Sequence, residues 1–406
     1  MKKYTDMRIF ALEHGGIRSA DVQSELSARY HSPATWRLPF KIGEANAFIM
    51  MNPELTSLIS SINKRNMHLL LLKQTIPKSA IEQFAISSMI EEIQQTNEVE
   101  GVHSTRHEIR DAVDAVQNPK SNKRFIGMVR KYSMLVAQED IPLHTSMDIR
   151  NLYNQFILDE VVRENLENAP EGLIFRSGPI KVVSSSGQII HEGLFPEGKI
   201  IEAMDQALAI LHTEEMDILI RVAVFHYLFG YIHPFNDGNG RMTRFISSYM
   251  LSKDYDESAC LRIAYIIKGH RAIYQNIFRD TNDKRNMGDL TRFTTEFLRF
   301  FDMALDDSYQ TLNEKNKQYN HYRSRLALLL NERNVSLDNA FQNMLNSMLE
   351  LELFGHSESD IKQLASISEK SDITVKRFFE KMGDLILVNK HQKKYFFSIN
   401  MSLLEE

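Results

Sequence analysis

The sequence predicts a mainly α-helical protein, interrupted by one β-hairpin and closed by a small module of helices and strands. Three observations carry this expectation. Apolar residues recur at helical spacing through most of 79–305. A β-branched run at 174–183, a Ser-Ser-Ser-Gly break at 184–187 and a second extended run at 188–191 read as a hairpin. After residue 336, two capped helical stretches are followed by two strand-like runs around a basic turn.

Taken in order, residues 1–78 hold short helical runs and an extended, Pro-containing stretch from Trp36 to Phe40, with no motif. Ser79 and Glu82 have the spacing of a capping box, and Ile81, Phe84, Ala85, Ser88, Met89 and Ile93 follow at helical intervals. That helix ends near Thr96 to Glu100, with Gly101 as its C-cap, and Thr105 with Glu108 opens the next. Glu100 falls in a last turn, where the helix dipole disfavours an anion unless a cation is close. Residues 216–232 are apolar almost all round and read as a buried helix, with Thr213, Glu214 and Glu215 as its start signal and Pro234 as its stop. A further amphipathic helix begins near Gly240, carrying Phe245, Ile246, Tyr249 and Met250. Gly288 and Asp289 introduce a helix over 290–303, and a polar helix over 306–325 lies in a linker, 306–335.

Between the two central helices stands the run His233-Pro-Phe-Asn-Asp-Gly-Asn-Gly-Arg-Met-Thr-Arg244. It gathers a base, a carboxylate, a glycine-rich turn and two arginines into twelve residues. Phosphate chemistry uses all of these: a base to activate a hydroxyl, an acid for Mg²⁺, backbone N–H groups at a helix start for phosphate oxygens, and guanidinium forks for the terminal phosphates. Arg241 and Arg244, three apart, share a face of the new helix's first turn. His103 and His107 have a metal-holding spacing but no third ligand, and read as surface residues. His226, inside the apolar helix, reads as a satisfied core residue, Phe235 as a core anchor and Cys260 as buried.

The run resembles the Fic motif, H-x-F-x-[D/E]-G-N-G-R-x-x-R, and meets every specified position. The resemblance covers about 79–305 and implies a Fic-type helical core with a hairpin flap. His233 would then be the general base toward a Ser, Thr or Tyr hydroxyl of a target protein. Asp237 would hold Mg²⁺, Gly238, Asn239 and Gly240 would cradle phosphate, and Arg241 and Arg244 would hold the terminal phosphates. The reaction implied is transfer of AMP from ATP with release of pyrophosphate. Residues 96–101 also resemble the inhibitory motif [S/T]-x-x-x-E-[G/N], with Thr96, Glu100 and Gly101 in the specified places and Arg244 as the partner of Glu100. In some relatives that glutamate serves AMP removal, and the sequence leaves this open. Fic-like proteins use the hairpin edge to align the target, which makes Val182, Val183, Ile189, Ile190 and His191 candidates without deciding which strand is used. Tyr265, Tyr274 and Asn276 fall where the family places adenine-side contacts. The competing reading is a regulator or scaffold that senses nucleotide, against which the intact His233 argues.

Residues 336–406 have the layout of a winged helix-turn-helix. Ser357 to Asp360 and Ser371 to Thr374 cap its helices, Gly383 stops the second, and 385–388 and 395–399 form strands. Lys376, Arg377, Lys381, Lys390, Lys393 and Lys394 would face DNA, although such modules also dock proteins, and the protein partner is favoured. Forty-eight basic against 53 acidic residues give a net charge of −5, so no global basic field calls for nucleic acid. One cysteine leaves no intramolecular disulfide, and no signal-like or 18-residue uncharged apolar segment is present, so a cytoplasmic protein without membrane partners is expected. The oligomeric state stays open, a homo-oligomer included.

Overall fold

A computed structural model describes residues 4–118, 120–183, 189–355, 358–391 and 394–405. The chain divides into two units, Met1–Met67 with Met89–Asp306, and His68–Ser88 with Asp307–Glu406.

The first unit opens with helices α1 (Met7–Glu13) and α2 (Ala20–Tyr30), then an antiparallel hairpin, β1 (Thr35–Ile42) and β2 (Ala45–Met50). The expected extended stretch is thus one arm of a sheet whose register slips between Arg37 and Lys41, around Pro39, which has no N–H to donate. Asp289, fully enclosed, accepts from the Tyr4 hydroxyl at 2.8 Å, the Met7 N–H at 3.2 Å and the Thr291 N–H at 3.0 Å, fastening the N-terminal segment.

Helices α3 (Pro53–Lys73) and α4 (Lys78–Val99) follow. The expected capping box at Ser79 does not form. Pro77, whose fixed φ suits a helix start, precedes the first turn and accepts from the Ile81 N–H at 3.1 Å, while the Ser79 hydroxyl donates to Glu350 at 2.6 Å. Helix α4 stops at Val99, and Gly101 takes φ +80° in the turn that follows. The box at Thr105 and Glu108 does form, at the head of α5 (Arg106–Ala115).

Next come α6 (Ile126–Val136), α7 (Ser146–Phe156), α8 (Leu158–Glu164) and a second hairpin, β3 (Lys181–Val183) and β4 (Ile189–Glu192). This hairpin is shorter than its sequence suggests. Glu197 accepts the N–H groups of Ile174 and Phe175 at 2.7 and 2.9 Å, and the Arg176 N–H donates to Pro234. Residues 174–176 therefore have no donors left for a strand partner. Residues 184–188, the expected turn, lie outside the described residues.

Helices α9 (Glu197–Leu211), α10 (Ile218–Ile232) and α11 (Asn239–Leu251) form the centre of the first unit. Eleven of the fifteen residues of α10 are buried, at about 1.5–3 kcal/mol for each large apolar side chain, which explains a helix without a polar face. It begins later than expected: Asp217, accepting from the Leu219 N–H at 2.8 Å, is the N-cap, and Thr213 is not. Short helices α12 (Glu257–Cys260), α13 (Ile263–Gly269) and α14 (Arg271–Asn282) lead to α15 (Thr291–Glu332). The two expected helices over 290–303 and 306–325 are one helix of 42 residues, because nothing between them breaks the ladder and Ala304 and Leu305 are buried.

In the second unit, α16 (Asn339–Glu350) precedes β5 (Ser359–Asp360), α17 (Ile361–Ser368), α18 (Asp372–Met382) and strands β6 (Ile386–His391) and β7 (Lys394–Ile399), paired in the order β5-β7-β6. Asp360 with Gln363 makes the capping box of α17, and Ser371 caps α18. Ser357 and Lys393 lie outside the described residues. Phe341 stacks on Phe378 at 4.0 Å, and Phe379 lies 5.0 Å from Phe397. No helix among the described residues is long and apolar enough to cross a membrane.

Candidate functional site

Helix α10 ends on His233, a non-glycine residue held in the left-handed region at φ 54°. Such a turn costs about 1–3 kcal/mol and persists where its surroundings fix it. Here the His233 N–H donates to Phe229 at 2.9 Å, and its carbonyl accepts from Arg176 Nε at 2.8 Å. Burial, followed by the charges of His191 and Arg176, holds the imidazole down to about 4. It is neutral at pH 7 and can take a proton.

The loop beyond is stiffened from inside. Phe235 is buried and stacks on Tyr153 at 3.8 Å. The Asn239 amide bridges the Phe235 backbone in both directions, at 3.0 and 2.7 Å. Any part that Asn239 takes in an anion cradle is therefore left to its backbone N–H. Gly238 stands at the N-cap of α11 with φ 83°, and no side chain caps the first turn. That turn presents unsatisfied N–H groups and the positive end of a thirteen-residue helix.

Two guanidinium groups sit there, both completely buried. Arg244 donates to the Thr96 hydroxyl at 2.8 Å, the Thr96 carbonyl at 3.0 Å and Glu100 Oε1 at 2.7 Å. Glu100 rests on the start of α11: a Cβ added to Gly240 would lie only 2.0 Å from Glu100 Oε1. Desolvation pulls the Glu100 carboxyl up, but the charge and hydrogen bond of Arg244, followed by the charge of Arg241, outweigh it and keep it below the usual range. Arg241 is less well served. One nitrogen meets Asp237 Oδ2 at 3.3 Å, while Nε and Nη1 have no hydrogen-bond partner among the described residues. A buried cation with two unmet donors fits an anion that has yet to arrive.

Residues 147–251 match the Fic/DOC family. This stretch is a Fic/DOC-family domain. Among solved structures, the chain is similar to a Fic family protein from Desulfovibrio desulfuricans G20, with a TM-score of 0.51 and 17% identity over 90% of this chain and 98% of that one. It also aligns with a Fic-domain-containing signaling protein from Bacteroides thetaiotaomicron VPI-5482, at a TM-score of 0.43 and 15% identity over 64% of this chain and 97% of that one. At such identities the first likeness speaks for the fold.

The Fic/DOC domain brings His233, Asp237, Gly238, Gly240, Arg241 and Arg244 onto one loop and helix start, and α4 with the turn after it supplies Thr96 and Glu100. Asp237 accepts from the Gly238 N–H at 2.5 Å, and 31% of its side chain is exposed. It fits Mg²⁺, which needs one or two protein carboxylates and takes its other ligands from phosphate and water. In the flap, Val182 pairs with His191 and Val183 with Ile189. The side chains of Val182, Val183, Ile189 and Ile190 lie outside the described residues. His191 turns inward, its Nε2 2.5 Å from the Tyr231 carbonyl oxygen.

Of the three adenine-side candidates, Asn276 is exposed and Tyr265 lies over Arg262, with 4.6 Å between guanidinium carbon and ring centroid. Tyr274 is buried, its hydroxyl 2.7 Å from His226 Nε2, while His226 Nδ1 meets Ser247 at 2.8 Å. His226 is thus satisfied in the core, and burial lowers it to about 3. His103 and His107 are exposed, and Cys260 is buried. Sequence reasoning missed Arg176 and Glu92. Glu92, fully buried on α4, accepts the Ala264 N–H at 2.9 Å, and burial pushes its carboxyl up to about 8. The one legible signal of Arg176 was a charge after the apolar run 173–175, whereas Glu92, beside Glu91 and Gln94, had none.

Proposed function

We propose that this protein transfers AMP from ATP to a Ser, Thr or Tyr hydroxyl of a target protein, releasing pyrophosphate, and that Glu100 restrains the reaction. The observation that carries this reading is the carboxylate of Glu100 lying at the uncapped start of α11, hung on Arg244, while Arg241 lacks a full partner. A carboxylate there stands in for a phosphate oxygen and occupies a guanidinium that a terminal phosphate needs.

In the proposed reaction the α11 N–H groups and Arg241 bind and orient the phosphates, and Arg244 joins them once Glu100 leaves. His233, neutral at working pH, takes the proton of the target hydroxyl as its oxygen attacks the α-phosphorus. The bond from the α-phosphorus to the bridging oxygen breaks, and pyrophosphate departs. Mg²⁺ on Asp237 would screen the phosphate charge. The hairpin β3–β4, by pairing its edge with the target backbone, would set the hydroxyl before His233.

We read residues 336–406 as a winged helix-turn-helix, supported by the three-stranded order β5-β7-β6 and the successive helices α17 and α18.

Transfer from α-labelled and γ-labelled ATP with Mg²⁺ tests the reaction, comparing the unaltered chain with Glu100→Gly and His233→Ala on the protein itself and on added lysate. The α-label should appear, rise sharply in Glu100→Gly and vanish in His233→Ala. Transfer of γ-label alone would make the protein a kinase-like variant. Release of label from a pre-modified target faster than its attachment would make AMP removal the main activity.

A further inference from the structure

The Arg176 guanidinium is completely buried, yet among the described residues its hydrogen-bond partners are four carbonyl oxygens and no carboxylate. Nε donates to His233 at 2.8 Å, Nη1 to Gly178 at 2.5 Å, and Nη2 to Leu194 at 2.6 Å and more distantly to Ile232 at 3.5 Å. The charge of Glu171 reaches it, but the Glu171 oxygens bond to Asn236 and the Ser177 N–H instead. An enclosed cation without a carboxylate bonded to it is costly, and carbonyls alone could be met by neutral donors. The identity of the four carbonyls gives the reason. Ile232 and His233 form the turn that carries the imidazole. Gly178 precedes β3 and Leu194 follows β4, so they bracket the hairpin. Three adjacent backbone bonds finish the junction: Arg176 N–H to Pro234 at 3.1 Å, Leu194 N–H to Ile232 at 3.1 Å and Gly193 N–H to Ile180 at 3.2 Å. Gly193 leaves the space this needs, since a Cβ there would lie 2.5 Å from Arg176 Nη2 and 3.0 Å from the His233 Cβ.

We propose that Arg176 is a positioning residue: its planar fork clamps both ends of the hairpin to the His233 turn, so that aligning a target strand and aligning the base are a single event. This rests on the reading of His233 as the base of AMP transfer. The rigid fork matters because only a planar group with donors on three sides can hold three backbone segments in one plane of approach. The charge has a second consequence, since Arg176 is among the groups that keep the imidazole neutral. Phosphate binding, on the α11 side, is not part of the clamp.

The test uses the full chain with Glu100→Gly, carrying in turn Arg176→Lys, Arg176→Gln and Gly193→Ala. Affinity for ATP, the rate of α-label transfer, its pH profile and the titration of the His233 ring by NMR are measured, the ring signal being assigned by its loss in His233→Gln. All three changes should lower the transfer rate tenfold or more while ATP affinity stays within twofold. Arg176→Gln alone should move the acid limb and the ring titration upward, because Arg176→Lys and Gly193→Ala keep a charge in place. Transfer rates within twofold of the parent and an unmoved ring titration overturn the proposal. So does a loss of rate that is matched by an equal loss of ATP affinity, which marks a merely structural arginine. If Arg176→Gln does not fold, Arg176→Lys and Gly193→Ala decide by the same rates. If the Glu100→Gly parent transfers no label, the proposed reaction fails, and the ring titration across the three variants still judges the clamp.

Discussion

Arg244 has two claimants, Glu100 and a terminal phosphate, and the geometry ranks the contacts that must break between them. Its Nε bond to the Thr96 hydroxyl joins the cation to a neutral acceptor and is buried, whereas the Glu100 bond joins two opposite charges but 31% of that side chain is exposed. Removing either should weaken the restraint, Glu100 more. Transfer in the presence of ATP and Mg²⁺ should therefore rank Glu100→Gly above Glu100→Gln and Thr96→Val, and these above the unaltered chain. Equal rates for all four would remove the lock from the account. Glu100→Gly leaves a buried guanidinium short of an anion, so it should lose about 1–2 kcal/mol without nucleotide, discounted from the 3–5 of a fully buried broken pair. Denaturant midpoints should show ATP restoring more stability to this variant than to the parent.

The buried His226 and the partly buried His233 set a pH dependence at the same scale. Free imidazole titrates near 6.5, while His233 is held to about 4 and His226 to about 3. Above 6.5 both are neutral whether folded or not, and their contribution to stability is complete. Below it the unfolded chain takes up protons that the folded chain refuses, so stability falls by up to about 1.4 kcal/mol per pH unit for each. Urea unfolding should show a loss on the order of 2–4 kcal/mol between pH 7 and pH 5, and a flat profile would show that both are solvated. Single residues were legible here where a motif fixed order and spacing, as in 233–244. Arg176 was not, because three of its four carbonyl partners lie 18 to 57 positions away and a carbonyl leaves no mark in sequence.

At the scale of elements, the helix termini show what local reading can decide. Thr105 with Glu108 forms its box, and Ser79 with Glu82, which has the same spacing, does not. The difference lies two residues upstream, where Pro77 starts the helix early and leaves Ser79 inside the first turn, free to reach Glu350. For α10 the nearer acid, Asp217, displaced the expected Thr213. Asp217→Ala should cost about 1 kcal/mol by loss of its bond to the Leu219 N–H, and Thr213→Ala a few tenths at most. Equal losses would mean that both ends of 213–217 cap the helix. The shortened hairpin had a local signal in the breaker Ser177-Gly178-Pro179, after which the strand starts at Lys181. What the sequence hid was the fate of 174–176, where a distant acid, Glu197, took the N–H groups of Ile174 and Phe175 and Pro234 that of Arg176.

At the scale of the whole molecule, charge and exposed apolar surface decide what the second unit can bind. On α18 the exposed cations Lys376, Arg377 and Lys381 alternate with Asp372 and Glu380. The exposed Lys390 and Lys394 on the two strands are joined by large apolar side chains, with Leu387 43%, Val388 55%, Tyr395 54% and Ile373 65% exposed. A surface made to track phosphates concentrates cations and counts on counterion release, whereas exposed leucine, valine and isoleucine gain nothing from a solvated DNA backbone. With a net charge of −5 over the whole chain, we propose a protein partner for this unit. The full chain should bind random-sequence duplex DNA at 0.15 M salt no more tightly than the roughly 10⁻⁴ M end of nonspecific affinities. Binding in the micromolar range that weakens steeply between 0.05 and 0.2 M salt would reverse this, and Lys376→Glu with Arg377→Glu should then abolish it. If the apolar side chains rule instead, Val388→Asp with Ile373→Asp should leave any DNA binding unchanged and release whatever protein the unaltered chain holds.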